Sequence, residues 1–199
     1  TAGNTELGSA IFNEGWQERL GCTYNDLQWV ETGERLTPQT FEKYRKQGGS
    51  VIVHMMKEQW VDQAISSSVT MIASDGGGYS PSGHPRSSGT FSKTIHTYVK
   101  EKKLLSIQTA LRKMTLMPAK VLETVVPDMK RRGRIQKGCY ADVLLFDLDN
   151  VKDNATYSSG FEKSSGMDYV IINGTILIEN GKLLPGTFPG KAIKSEIKL

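Results

Sequence analysis

Residues that hold metals are scarce in this chain. Its 199 residues include two cysteines and three histidines. Cys22 and Cys139 have no local partner, which argues against a cysteine zinc knuckle or a disulfide framework and favours a reducing, cytoplasmic compartment. His54, His84 and His96 form no His-x-His pair. No apolar stretch reaches the roughly 18 residues of a bilayer span, so a membrane role is not expected. No signal peptide is present, and Thr1 is not an initiator Met, so the start reads as a processed or truncated end. The charge surplus is small, +4 from 25 basic and 21 acidic residues. Basic residues gather at Lys130, Arg131, Arg132 and Arg134, and again at Lys191, Lys194 and Lys198. Without an aromatic RNA-binding run or a long basic helix beside them, they read as solvated surface, and no nucleic-acid partner is expected. Asn154-Ala155-Thr156 and Asn173-Gly174-Thr175 fit the glycosylation sequon and read as chance matches.

The chain does have the composition of a globular protein, with 38% hydrophobic and 23% charged residues. Residues 1–36 are rich in glycine and aromatics and read as a long loop with short structured pieces. Thr37-Pro38 opens a helix that Gly48 ends, since Thr caps well and Pro suits the first helical position. Residues 51–55 (Val-Ile-Val-His-Met) and 70–74 read as buried parallel strands, with a helix over 57–66 between them. A Gly/Ser loop follows from Gly76 to Gly89. Helices are expected near 91–100 and over 106–117, with Pro118 as the stop. Two strands alone cannot make a stable parallel sheet. After Pro127 the texture turns to short strands. Asn173-Gly174 predicts a type I′ hairpin, and Asn180-Gly181 a further turn.

Five phrases in order carry a resemblance. They are Ile72-Ala73-Ser74-Asp75-Gly76; His84-Pro85-Arg86 with Gly89-Thr90-Phe91; Arg112-Lys113-Met114-Thr115-Leu116-Met117-Pro118-Ala119; Gly133-Arg134-Ile135 with Gly138-Cys139-Tyr140-Ala141-Asp142-Val143 and Phe146-Asp147; and Tyr169-Val170-Ile171-Ile172-Asn173-Gly174 with Glu179-Asn180-Gly181. Over about residues 48–192 the chain resembles the amidohydrolase superfamily, in its D-aminoacylase or N-acyl-D-amino-acid deacylase branch. The resemblance implies an α/β fold: the C-terminal part of a (β/α)8 TIM-type barrel over 1–127, then part of a small β-sandwich over 128–199. Residues 51–55 would be barrel strand seven and 70–74 strand eight. Strands one to six, with the His-x-His and the later metal-binding positions, would lie in a missing N-terminal part, in cis or on a second chain. Zinc would be bound mainly there, because the three histidines here cannot build a site of about three protein ligands.

The same resemblance assigns roles. Asp75, at the end of a barrel strand, would approach the metal as a possible ligand, take a proton from the attacking water and return it to the leaving nitrogen. The residue-level alternative is a simple Asp-Gly turn. Arg86 would bind the α-carboxylate of a small-molecule substrate through its guanidinium fork. His84 would touch the substrate or position the loop. His54 reads as a core or rim histidine bonded to the backbone, and His96 as an exposed helical residue. Gly76, Gly77 and Gly78 would let backbone pass close to a ligand. The expected activity is hydrolysis of the linear amide of N-acyl-D-amino acids or dipeptide-like substrates when the barrel is complete, with this chain inactive alone. A cyclic amidohydrolase of the hydantoinase or dihydroorotase kind is the alternative enzyme, and a non-catalytic domain the alternative of another class. Open strand edges leave self-association as a homo-oligomer open.

Overall fold

The computed structural model describes residues 2–77 and 83–195. Gly78 and Lys198, singled out above, lie outside the described residues. The chain divides into two compact units. One comprises Thr1–Ala64, Ser74–Gly89 and Ala155–Lys163, the other Ile65–Ala73, Thr90–Asn154 and Ser164–Leu199.

The first unit is built on a three-stranded sheet. Strands β1 (Gly3–Glu6) and β2 (Leu27–Trp29) flank β3 (Ser50–Val53), and both run antiparallel to it. Helices α1 (Trp16–Leu20) and α2 (Pro38–Gln47) complete the core, and α3 (Glu58–Ser66) follows β3 in the chain. As expected, Thr37 opens α2: its hydroxyl accepts from the Thr40 N–H at 3.2 Å, and Pro38 follows. Phe12, Trp16, Phe41 and Trp29 fill the interior with Leu7, Leu27, Val51 and Val53. Trp29 lies flat on Tyr44 at 4.4 Å, and Trp16 on Phe41 at 5.4 Å. Gly49 sits directly against Trp29. With φ at 135°, a Cβ there would fall 2.4 Å from the indole, so the tryptophan requires glycine at this point.

This arrangement corrects two expectations. Residues 51–55 are not a parallel strand. The extended stretch stops at Val53 and pairs antiparallel with both neighbours, because residues 3–6 and 27–29 satisfy its backbone groups on either side. Residues 70–74 form no strand. Ile72 is buried, but its N–H donates to the carbonyl of Lys113 at 3.1 Å rather than to a strand neighbour. The segment 1–36, read as mostly loop, instead supplies two strands and three of the five buried aromatics of the core, Phe12, Trp16 and Trp29.

Helix α4 (Arg86–Lys93) starts within the residues of the first unit; from Thr90 on, it and the π-helical stretch Thr94–Glu101 that continues it belong to the second unit. Helices α5 (Ile107–Met114) and α6 (Leu116–Leu122) follow. The expected single helix over 106–117 breaks at Thr115. Pro118 falls in the first turn of α6, where its missing N–H costs nothing, instead of ending α5. Strands β4 (Val143–Phe146), β5 (Met167–Ile172), β6 (Thr175–Glu179) and β7 (Lys182–Leu183) make an antiparallel sheet in that order. The two turns are as expected: Asn173 and Gly174 have φ of 48° and 80°, Asn180 and Gly181 of 49° and 73°. The basic run is not simply solvated. Arg131 and Arg132 stack over Tyr140, Arg132 pairs with Asp142 at 2.6 Å, and Arg134 with Glu123 at 2.8 Å. The fold is thus α/β, and the described residues close no barrel.

Lys113 is the one charged side chain among the described residues that is fully enclosed, at 2% exposure. Its ammonium donates to the Ser67 carbonyl and, at 3.0 Å, to the Thr70 hydroxyl, and burial lowers its pKa. It therefore ties the segment after α3 to α5. Lys113→Met keeps the volume but leaves a buried carbonyl without a donor. A loss of about 1–3 kcal/mol in unfolding free energy is expected, measured by urea titration.

Candidate active site

The site lies in the first unit, where residues 74–77 and 83–89 fold against each other. Ser74 opens a tight turn, with its hydroxyl accepting from the Gly76 N–H at 3.3 Å. Asp75 takes a left-handed backbone, φ 47°, which is uncommon outside glycine but tolerated by aspartate. Arg86 secures that conformation twice. Its Nε donates to the Asp75 carbonyl at 2.9 Å, and its Nη2 meets the Asp75 carboxylate at 2.7 Å. The Asp75 carboxylate stays 80% exposed while the Arg86 side chain is only 24% exposed. A Cβ on Gly76 would lie 3.1 Å from the Ser87 Cα, so the close approach of the two arms needs a small residue there.

His84 anchors the second arm. Its Nε2 lies 2.9 Å from the Ala2 carbonyl, an acceptor only, so that nitrogen carries the proton. Its Nδ1 then accepts from the Arg86 backbone N–H at 3.1 Å. Both ring nitrogens thus engage backbone, and the ring fixes the start of the Arg86 turn.

Tyr157 stands between two imidazoles, edge-on to His54 at 4.6 Å and to His84 at 5.2 Å. Gln28 links the same groups. Its Oε1 lies 2.9 Å from His54 Nε2, and its Nε2 donates to the Tyr157 carbonyl at 3.3 Å. Arg35 is the cross-strand partner of Gln28 in an isolated antiparallel bridge, so the two side chains project from the same side. Burial, and then the nearby Arg35 charge, push the His54 pKa down to about 4. Burial raises the Tyr157 pKa, and the Arg35 and Arg86 guanidiniums partly oppose that rise.

The low His54 pKa has a sign that can be checked. Between about pH 6.5, its unfolded value, and about pH 4, the unfolded chain binds the proton and the folded chain does not. Folding stability therefore falls as pH drops through that window. His54→Gln is expected to flatten this slope in denaturant midpoints measured across it.

The geometry brings Asp75, Arg86 and His84 together. His54 is bonded to the Gln28 side chain, not to backbone through its ring as expected. His96 is in the other unit and is not exposed. It sits half-buried, 3.4 Å from Asp153 and 3.5 Å from Glu101. Gln28, Arg35 and Tyr157 escaped the sequence reading. Tyr157 lies in an undistinguished Ser-rich stretch, and only the antiparallel register makes Gln28 and Arg35 neighbours. Cys22 and Cys139 are free thiols, Cys22 buried. No helix among the described residues is long and apolar enough to cross a membrane.

Among the described residues, no group of three or more His, Cys, Asp or Glu side chains is placed to hold a metal ion. Asp75 is an exposed carboxylate without companion donors, so the described part of this chain does not by itself fit a zinc centre.

No family model matches the chain. It is 37% identical over 123 residues to an N-acyl-D-aspartate deacylase of Alcaligenes xylosoxydans xylosoxydans, taking in 62% of this chain and 24% of that protein. It is 32% identical over 148 residues to an N-acyl-D-glutamate deacylase of the same organism, 74% of this chain and 29% of the relative. A D-aminoacylase structure that defines a novel subset of amidohydrolases superposes with a TM-score of 0.76 at 26% identity, covering 96% of this chain and 40% of that one. An N-acyl-D-glutamate deacylase from Bordetella bronchiseptica, solved with zinc and a phosphonate mimic of the tetrahedral intermediate, superposes with a TM-score of 0.78 at 26% identity, covering 98% and 41%. The chain spans less than a third of the length of these curated relatives and about two fifths of the solved neighbours. It is a homologue of the N-acyl-D-amino-acid deacylases, which are amidohydrolases, and corresponds to part of their length.

Proposed function

We propose that the chain is part of a metal-dependent amidohydrolase that hydrolyses the amide bond of N-acyl-D-amino acids or dipeptide-like substrates. Asp75 accepts a proton from the attacking water and passes it to the leaving nitrogen. Arg86 receives the substrate's α-carboxylate, and His84 positions the turn that carries it. The observation that carries this reading is the Asp75–Arg86 turn: an exposed carboxylate on a left-handed backbone, clamped by an arginine from eleven residues further on. Such strain recurs at functional sites. The guanidinium already holds a carboxylate, which is the chemistry an α-carboxylate anchor requires.

Zinc, which the glutamate deacylase neighbour holds, would take its ligands mainly from the rest of the enzyme, whether joined in cis or on a second chain. Residues 1–127 would complete a barrel there, and residues 128–199 would form one share of a β-sandwich. Support comes from the second unit's sheet, where Leu144 and Leu145 on opposite faces are each about half exposed. By itself the chain is inactive in this reading.

Assay of the complete enzyme on N-acetyl-D-amino acids against hydantoins tests the proposal, since a cyclic-amide preference would overturn it. Arg86→Lys is expected to raise KM about tenfold or more by removing the bidentate fork. It should also lower kcat, because Asp75 loses its clamp. An unchanged KM would remove Arg86 from the substrate.

A further inference from the structure

The enclosed cation, Lys113, borders a cavity that the proposed chemistry leaves unused. The cavity measures about 300 Å³, and its lining lies within the second unit. Ser66, Ser67 and Ser68 line it from the end of α3 and the turn that follows. Thr109, Arg112 and Lys113 line it from α5. Their spacing of i, i+3 and i+4 puts these three on one helix face. Met117 is the one apolar residue of the lining, and none of the lining residues is an acid.

The positive charge here has no counterpart. An ammonium has three N–H groups. Lys113 uses one on the Ser67 carbonyl and one on the Thr70 hydroxyl, at 3.0 Å. The third meets no acceptor among the described residues, and no carboxylate there pairs with the charge. Burial lowers the Lys113 pKa, and no neighbouring acid opposes that shift. A buried charge is costly without an opposite one. Arg112 is exposed, and its guanidinium makes no hydrogen bond or ion pair among the described residues. The Ser68 hydroxyl is likewise without a partner among them.

These groups select the kind of anion. Two positive charges are matched by a dianion, whereas a carboxylate brings one charge and two oxygens. The donors come from two segments instead of one planar fork, which suits a tetrahedral group better than a flat one. The volume lies at the lower end of small-molecule sites, roughly 300–1,000 Å³, and leaves space beside a phosphate for a small organic group.

We propose that this cavity binds a phosphate group, free or carried by a small monoester, through Lys113, Arg112 and the Ser68 hydroxyl. The site uses no residue of the Asp75–Arg86 turn and does not depend on the deacylase reading. Lys113 already holds Ser67 and Thr70 by its side chain and Ile72 by its carbonyl. A bound anion therefore stabilises that segment as well.

The test is calorimetric titration of the 199-residue chain with inorganic phosphate, glycerol 3-phosphate and acetate. Both phosphates should bind about tenfold or more tightly than acetate at low salt, and both should raise the urea midpoint. Tighter binding of the ester assigns the spare volume to its organic part, and equal or tighter binding of inorganic phosphate makes the free ion the ligand. Arg112→Gln should weaken phosphate about tenfold. Ser68→Asp, which brings a carboxylate to the cavity, should abolish binding. Both positions are exposed, so both variants should fold, which urea midpoints without phosphate check. Arg86→Gln should leave phosphate affinity unchanged. Acetate bound as tightly as phosphate, or phosphate affinity that survives both Arg112→Gln and Ser68→Asp, overturns the proposal. Loss of binding in Arg86→Gln with affinity intact in Arg112→Gln moves the anion to the Asp75–Arg86 turn and overturns it too, as does a wild-type chain that binds neither phosphate.

Discussion

Asp75→Asn in a complete enzyme carrying this chain lowers kcat by about a hundred- to ten-thousand-fold, with KM changed little, measured on an N-acetyl-D-amino acid. The amide keeps the size and can still sit beside Arg86, but it takes up no proton at neutral pH. The reaction needs a group that removes a proton from water and returns one to the departing nitrogen. The carboxylate at 75 is the exposed acid on this turn, held at 2.7 Å from Arg86 and out of the left-handed backbone. An additional Arg86→Gln change should cost less in the Asp75→Asn background than alone, because part of the arginine's role is to hold the carboxylate, and coupled residues are not additive. Full activity in Asp75→Asn would reduce the Asp-Gly pair to a turn.

Trp29→Ala lowers the unfolding free energy by about 3–5 kcal/mol, measured by urea titration of the chain. That is a large share of a domain's usual margin of about 5–15 kcal/mol, so partial unfolding at room temperature is expected. Trp29 is wholly buried, lies flat on Tyr44, and takes up the space that Gly49 leaves open. Its removal empties the joint between β2, β3 and α2. The substitution also tests whether residues 1–36 belong to the core: were they a loop, it would cost a fraction of this.

Some elements were legible because their signal is local. Thr37-Pro38 and Gly48 mark both ends of α2 through capping and backbone freedom, which do not depend on distant contacts. Asn173-Gly174 specifies its turn in the same way. The eleven-residue interval between Asp75 and Arg86 was legible as a motif, and the two side chains meet. What failed was long-range. The apolar run Val51-Ile52-Val53 is continuous, as buried parallel strands are, but it owes its burial to antiparallel partners drawn from the glycine-rich start of the chain. Nothing within residues 70–74 indicates that Ile72 would bond to Lys113 rather than to a strand. The second half of the site was equally hidden. Tyr157 is a single aromatic among serines, brought between His54 and His84 across more than seventy residues of sequence. Arg35 joins it through one isolated bridge to Gln28.

The most direct measurement is a crystal structure of the complete enzyme with an N-acyl-D-amino-acid phosphonate, a mimic of the tetrahedral intermediate. The expected result places the Asp75 carboxylate within hydrogen-bonding reach of a phosphonyl oxygen and the Arg86 guanidinium on the ligand's α-carboxylate. A ligand bound elsewhere, or Asp75 turned to solvent with Arg86 still closed upon it, would contradict the account.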